Sequence, residues 1–357
     1  MPPYHILVIN PGSTSTKVAV YEDERPLCVS TIRHTPEELA AYAQIIDQHD
    51  FRRQLVTDWL AQNDIPLRFD AIIGRGGLIK PIPGGVYRVN RKMCFETYYA
   101  LRKHACNLGC ILAYELAKEQ GGGCQAYIAD PVTVDELVPE ARVSGSPLMP
   151  RLAIWHALNQ RAIARRYARQ VGCSYSDLNL IVCHLGGGIS VAAHEHGRAI
   201  DANNALDGEG PLSPERAGTL PAADLIHLCY SGRYTEEQLK KRVAGQAGLM
   251  AHLGTTDILQ IMQMIEQGNE RARLLINAMI FHTAKQIAAE GAVLCGRVDA
   301  ILLTGGMAHS VYITEGIKQR VSYLAPVHVF PGEDEMEALA LNALAVLRGE
   351  CQAKEYE

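Results

Sequence analysis

No CxxC pair occurs among the ten cysteines of this sequence. The closest two, Cys106 and Cys110, would stand one turn apart on a helix. A zinc site could be drawn there, but free thiols buried in a reducing compartment are the commoner use of such cysteines. No basic cluster with interleaved aromatics is present, and 34 Lys and Arg stand against 39 Asp and Glu, a net charge of −5 with histidine neutral. That balance argues against nucleic acid or an anionic membrane as the partner. No basic stretch precedes the first apolar run, so "MPPYHILVIN" does not read as a secretory signal. No unbroken apolar segment approaches the roughly 18 residues of a membrane span. The expectation is a soluble cytoplasmic protein, and 357 residues suffice for two domains with a core each.

A phosphate loop is also incomplete here. The stretch "HILVINPGSTSTKVAV" (5–20) places Gly12 five residues before Lys17, close to but one short of the six in a Walker A loop. Thr16, however, replaces the second glycine, Val18 follows the lysine, and "VAVYED" alternates like a strand where a helix should start. A β-hairpin keeps every residue useful, because Ser13, Thr14, Ser15 and Lys17 can donate hydrogen bonds to a phosphoryl group. Taken alone, a hydroxyl-rich surface turn would look the same.

The rest of the chain alternates strand-like and helical segments, the α/β pattern. "FDAII" (69–73) and "CQAYIA" (124–129) read as buried strands. A capping box of Thr35 and Glu38, with Pro36 between them, opens a helix. Further helices are expected over about 151–170, 270–290 and 334–348. Comparison of the chain with itself is more informative. "ILVINPGSTSTKVAV" and "LIVCHLGGGISVAAH" (180–194) each carry four apolar residues, a polar residue, a glycine-bearing turn and renewed alternation. Asn10 and His184 are the matching polar residues, and both segments read as hairpins whose turns point N–H groups outward. Two of them, one in each half, suggest a duplicated domain with a phosphate-gripping turn on each side of a cleft. A boundary is placed near "SGSPLMP" (144–150), giving domains 1–150 and 151–335. A third glycine turn follows the strand in "AILLTGGMAHS" (300–310), where backbone could approach a nucleotide closely.

In this order, "INPGSTSTK", "IVCHLGGGIS", "LSPERAGTLP" (212–221) and "LLTGGMA" resemble the acetate and butyrate kinases. The "NPGS", "HLGGG" and "SPERAGTLP" details look like the butyrate kinase branch. The resemblance covers nearly the whole chain. It implies an α/β fold of two ribonuclease-H-like (actin-like ATPase) domains facing across a nucleotide and substrate cleft. The C-terminal helix, 336–357, would pack back on the first domain. It also implies ATP and ADP, Mg2+, a short carboxylic acid (butyrate), its acyl phosphate, and a homodimer or higher homo-oligomer. Phosphoryl transfer of this kind needs cations, a metal and donors more than a nucleophile.

The same resemblance distributes roles. Arg75 in "AIIGRGG" would hold the substrate carboxylate and the phosphoryl, which suits its planar fork, with flanking glycines leaving it room. Arg216 in "SPERAGT" would be the second arginine on the phosphoryl. Asp130 ends a strand before Pro131, which should force it extended; an essential aspartate orienting acceptor or metal is preferred over a helix cap. His184 and His156 would lie near the transferring phosphoryl, although a helical His156 beside Trp155 also fits a core residue. His104 corresponds to a histidine near the substrate. Ser13, Ser15, Lys17 and the Gly186–Gly188 turn would cradle phosphates, while Gly305, Gly306 and Met307 would admit the nucleotide. Asn10 and Glu335 would attend the metal, with Glu333 and Glu337 close enough in sequence to be confused with the latter. Gly254 and Thr256 replace a charged pair that the acetate kinases use around adenine.

Overall fold

In a computed structural model of the protein, residues 2–100 and 103–357 are described. The chain divides into two compact units, Met1–Val134 with Asp334–Glu357, and Asp135–Glu333.

The first unit is built on a sheet of order β3-β2-β1-β4-β6-β5. Its strands are β1 (His5–Pro11), β2 (Ser15–Glu22), β3 (Arg25–Arg33), β4 (Ala71–Arg75), β5 (Val86–Arg88) and β6 (Gln125–Ala129). Strands β1 to β3 form an antiparallel meander, β4 and β6 extend it in parallel, and β5 closes the edge antiparallel. Successive side chains of β1 point to opposite faces. Leu7 and Ile9 join a core with Leu108, Leu112 and Leu116 of the helix Leu108–Gln120, and Ile6 and Val8 are equally buried on the other face. Burial on both faces is why β1 reads as an unbroken apolar run. Each such side chain contributes about 1.5–3 kcal/mol. Helix Leu108–Gln120 lies so close to β4 that a Cβ on Gly74 would sit 2.0 Å from the Gly109 carbonyl oxygen.

The second unit repeats this plan. Its strands are β7 (Asn179–Leu185), β8 (Ile189–Glu195), β9 (Arg198–Ala202), β10 (Ala300–Gly305) and β11 (Val327–Pro331), in the order β11-β10-β7-β8-β9. Again an antiparallel meander is followed by two parallel strands. Residue by residue the period of two sorts β7 into two cores. Ile181, Cys183 and Leu185 pack with Ile276, Met279 and Ile280 of helix Glu270–Val293. Leu180 and Val182 pack with Ile163 and Tyr167 of helix Ala157–Val171. Both units therefore carry the duplicated ribonuclease-H-like sheet, and the first adds β5.

Several expectations shift. The division falls at residue 134 and not at 144–150, because residues beyond 134 are tied to the second unit. Val138 N–H bonds the Ile200 carbonyl, and Arg151 bonds Asp201, Glu209 and the Ala141 carbonyl. Those same ties delay the helix expected from 151 until Ala157. At the C-terminus a helix spans Glu335–Leu347, against β1 and β4, started by the Asp334 side chain accepting from Glu337 N–H. Residues 348–357 are not helical; Lys354 bridges to Tyr87 instead. The Thr35 capping box is present as read.

Candidate active site

Parallel strands end together, and in the first unit that brings Asn10, Arg75 and Asp130 side by side. Ile9 pairs with Gly74 and Arg75 with Ala129, so each residue stands at or just past the carboxyl end of β1, β4 or β6. Side chains there face the ligand crevice of an α/β sheet. Glu335, the first residue of the C-terminal helix, reaches into this group. Its Oε2 accepts from Asn10 Nδ2 at 2.7 Å and from Arg75 Nη1 at 2.6 Å. Glu335 and Asn10 are buried, whereas Glu337 is exposed and Glu333 belongs elsewhere. Cys106 lies near the pair; burial, opposed by Arg75 and assisted by Glu335, pushes its thiol up to about 11. It stays protonated at neutral pH and offers no nucleophile.

The glycines around Arg75 serve close packing, not room for its side chain, as the Gly74 contact with Gly109 demonstrates. Asp130 is not extended. Its φ is +39°, and both its backbone N–H and its Oδ1 engage Gly85, at 3.0 and 2.7 Å. Those two bonds outweigh the preference that Pro131 imposes. His104 is exposed and caps the short turn Ala105–Asn107 through its Nδ1.

The first hairpin turn is held from beneath by a residue that the sequence did not single out. Arg52 is fully buried on helix His49–Gln62, and no carboxylate pairs with it among the described residues. Its Nη1 donates to the carbonyls of Gly12 and Ser15 and to Thr16 Oγ1, at 2.8, 3.1 and 3.1 Å. Its Nη2 reaches the Ser13 carbonyl at 3.3 Å. With the carbonyls turned inward, the turn's remaining polar groups face outward, and Ser13, Thr14 and Lys17 are exposed. Burial lowers Arg52 to about 10, so it stays a cation under the turn. Gln48, one turn back, also accepts from its Nε and Nη2, but the turn that it braces lies about forty residues away and leaves no local signal in "HDFRRQLV".

In the second unit His184 occupies the place of Asn10, at the end of β7 and level with Thr304 of β10. Its ring stacks on His156 with centroids 3.8 Å apart. Asn159 Oδ1 lies 3.0 Å from His184 Nδ1, and Glu333 Oε2 lies 3.5 Å from Nε2. His156 is the residue before the helix and not within it, tied to Ser190 Oγ by its backbone N–H, which donates at 3.3 Å, and by its Nδ1, 2.8 Å away. The Gly186–Gly188 turn is braced by Ser213 Oγ and Glu215 N–H, both on the Gly187 carbonyl, at 2.7 and 3.0 Å. Arg216 lies beside this turn, its Cγ 3.7 Å from where a Cβ of Gly188 would be, with Nη1 3.5 Å from Glu215. Gly305 needs to be glycine: φ is +94°, and a Cβ would meet the Leu185 carbonyl at 2.4 Å. Gly306 and Met307 follow in a single tight turn, Gly306–His309, ahead of helix Val311–Val321.

The acetokinase family model matches residues 153–328. Over 352 residues, 99% of both chains, the protein is 62% identical to a probable butyrate kinase of Bacteroides thetaiotaomicron. The chain belongs to the acetokinase family. A probable butyrate kinase of Phocaeicola vulgatus is 52% identical over 98% of this acetokinase and 99% of its own length. Among solved structures, an acetate kinase of Porphyromonas gingivalis superposes with a TM-score of 0.80, covering 96% of this chain and 100% of that one. A propionate kinase of Francisella tularensis gives 0.77, over 95% and 98%. Both are 17% identical and establish the shared fold. Among the described residues, no helix of the acetokinase is long and apolar enough to cross a membrane.

Proposed function

We propose that this acetokinase transfers the γ-phosphoryl of ATP to butyrate, reversibly and in line, giving ADP and butyryl phosphate. The observation that carries the site reading is the pairing of Arg75 and Asn10 on one carboxylate oxygen of Glu335, beside a hydroxyl-bearing turn. The choice of butyrate rests on the two relatives at 62% and 52% identity.

In this reading Arg75 exchanges Glu335 for the acid and grips its carboxylate with two parallel N–H bonds. Ser13, Ser15 and Lys17 donate to the phosphoryl group from the outward face of their turn. His184, Arg216 and the Gly186–Gly188 turn, whose Gly186 N–H is spent on the Gly188 carbonyl, stabilise charge on the phosphate chain. Asp130, held in place by its two bonds with Gly85, orients the acceptor or the metal. Gly305, Gly306 and Met307 give the nucleotide a close approach, and His104 stands on the acid's side. Asn10 and Glu335 fit Mg2+, a hard cation that takes oxygen ligands and keeps several waters. Asn10 already turns its nitrogen to Glu335, which leaves its amide oxygen as the atom for a cation. Bound there with ATP, Mg2+ would supply charge neutralisation of the phosphates. We expect the enzyme to act in the cytoplasm as a homodimer or higher homo-oligomer.

Trapping with hydroxylamine across straight and branched acids of two to five carbons tests the reaction. Acyl hydroxamate peaking at four carbons is the expected result. A peak at two carbons would keep the chemistry and remove butyrate, since one methylene is worth only about 1–3 kcal/mol in an apolar pocket. No hydroxamate with any acid, despite ATP binding, would reduce the protein to an ATP-binding switch.

Arg52 supplies a second expectation. Arg52→Lys keeps the charge but cannot reach four oxygens, so the first turn should drift. Misplacement on the order of 1 Å can cost about 100-fold in kcat, and ADP affinity should be unchanged. Wild-type kcat in this variant would remove the turn from the reaction.

A further inference from the structure

A buried line of polar groups runs inward to the histidine pair, and its direction is determined by a single atom. Gln160, His194 and Ser190 are fully buried. Gln160 Nε2 lies 3.1 Å from the backbone carbonyl of Ser190 and 2.8 Å from its Oγ. A carbonyl can only accept, so the amide nitrogen must face Ser190 and the amide oxygen must face away. That oxygen meets His194 Nε2 at 3.2 Å, so His194 carries its proton on Nε2. His194 Nδ1 is then an acceptor, and the Tyr175 hydroxyl donates to it at 2.6 Å. Burial, reinforced by Arg161 and Arg165, pulls His194 down to about 3, which keeps it neutral as this pattern requires.

On the inner side, Ser190 Oγ accepts from Gln160 Nε2 and from the backbone N–H of His156. Both lone pairs are then engaged, and the hydroxyl proton has one direction left. It points to His156 Nδ1, 2.8 Å away. His156 Nδ1 is therefore the acceptor, and its proton resides on Nε2. His184, stacked on it, is arranged in the opposite sense. The Asn159 oxygen and the Glu333 carboxylate face its two nitrogens, so it donates from Nδ1.

We propose that the chain Tyr175–His194–Gln160–Ser190 holds His156 as the Nε2–H tautomer, so that His156 presents an N–H donor from the stacked pair. The proposal rests on the reading that places His156 beside the transferring phosphoryl. Gln160 and Ser190 are then positioning residues: they touch no reacting atom and act through His156. Holding a wrong tautomer can cost an enzyme several orders of magnitude, and a loosened one should cost about tenfold.

The test is nitrogen NMR on the full-length protein with 15N-labelled histidine, His156 being assigned by its loss in His156→Asn. In the wild type, Nδ1 of His156 should appear as the unprotonated nitrogen and Nε2 as the protonated one. In Gln160→Met and in Ser190→Ala the Nδ1–H form should emerge. In both, kcat should fall about tenfold with little change in KM for either substrate. A wild-type His156 protonated on Nδ1 would overturn the proposal even if neither variant folds. So would variants whose tautomer matches the wild type, or whose tautomer shifts with kcat unchanged. Full activity in His156→Asn, with the tautomers as expected, would instead overturn the underlying reading of the site.

Discussion

Arg75→Ala and Arg216→Ala are each expected to lower kcat by roughly 10³- to 10⁵-fold. At 1.36 kcal/mol per factor of ten this is a loss of about 4–7 kcal/mol of transition-state stabilisation. The size follows from the chemistry. A transferring phosphoryl group spreads negative charge over its oxygens, and in a site from which water is excluded fixed cations stabilise that charge far more than they would in solution. Arg75 is the group at the end of β4, held at 2.6 Å from Glu335. Arg216 is its counterpart in the second unit, against the Gly186–Gly188 turn. Arg75→Lys should recover little, because an ammonium cannot make the two parallel bonds that fit a carboxylate. The measurement is steady-state kinetics with saturating ATP and acid, alongside circular dichroism to establish that the fold is retained. Either alanine variant keeping kcat within tenfold of the wild type would remove that arginine from the reaction.

Glu290→Gln is expected to make the protein much more stable at pH 8 than the wild type, and hardly more stable at pH 5. Glu290 lies on helix Glu270–Val293 and is 1% exposed. Its Oε1 accepts from Gln286 at 2.8 Å, and its Oε2 has no hydrogen-bond partner among the described residues. Burial, then the carboxylate of Asp201, pushes its pKa up to about 8; Glu209 adds to this, while Gln286 and Arg151 oppose it. An unfolded chain would return the group to an ordinary carboxyl value near 4.3. The folded pKa is the raised one, so the stability is whole below about pH 4.3 and is lost as pH rises through 8. Each pH unit in that window removes about 1.4 kcal/mol, or roughly 4 kcal/mol between pH 5 and 8. The glutamine variant lacks the titration and should hold its stability across the window. Melting curves of both proteins at half-unit steps of pH decide it: parallel profiles would sink the assignment of Glu290 as a buried neutral acid.

Both predictions concern residues whose surroundings the sequence reveals very unequally. Arg75 was legible: a lone arginine between glycines after an apolar run is a strand end, and its resemblance to a carboxylate-gripping arginine followed. Its partner was not. Glu335 stands among Glu333, Asp334 and Glu337, and spacing cannot choose between them. Helix geometry can, since the residue at the first helical position turns inward while Glu337 turns out. Glu290 gave no signal at all, because one glutamate in a long helix looks solvated until its neighbours are known. The expected conformation of Asp130 failed for a related reason: the rule for residues before proline is local, and the two bonds to Gly85 are not.

The two hairpins, the glycine turns after them and the alternation that makes two similar α/β units are legible in the residue order alone. These features are local, written in a period of two and in glycine's freedom at a turn. The folded chain instead chose which glutamate meets Arg75, set Arg52 beneath the first turn, and linked His156 through Ser190 and Gln160 to His194. It also decided that the second unit begins at Asp135. In each case the partners are tens to hundreds of residues apart, and hydrogen bonds that close such distances leave no periodicity in the chain. What those residues do depends on which buried acceptor or donor the fold carries to them.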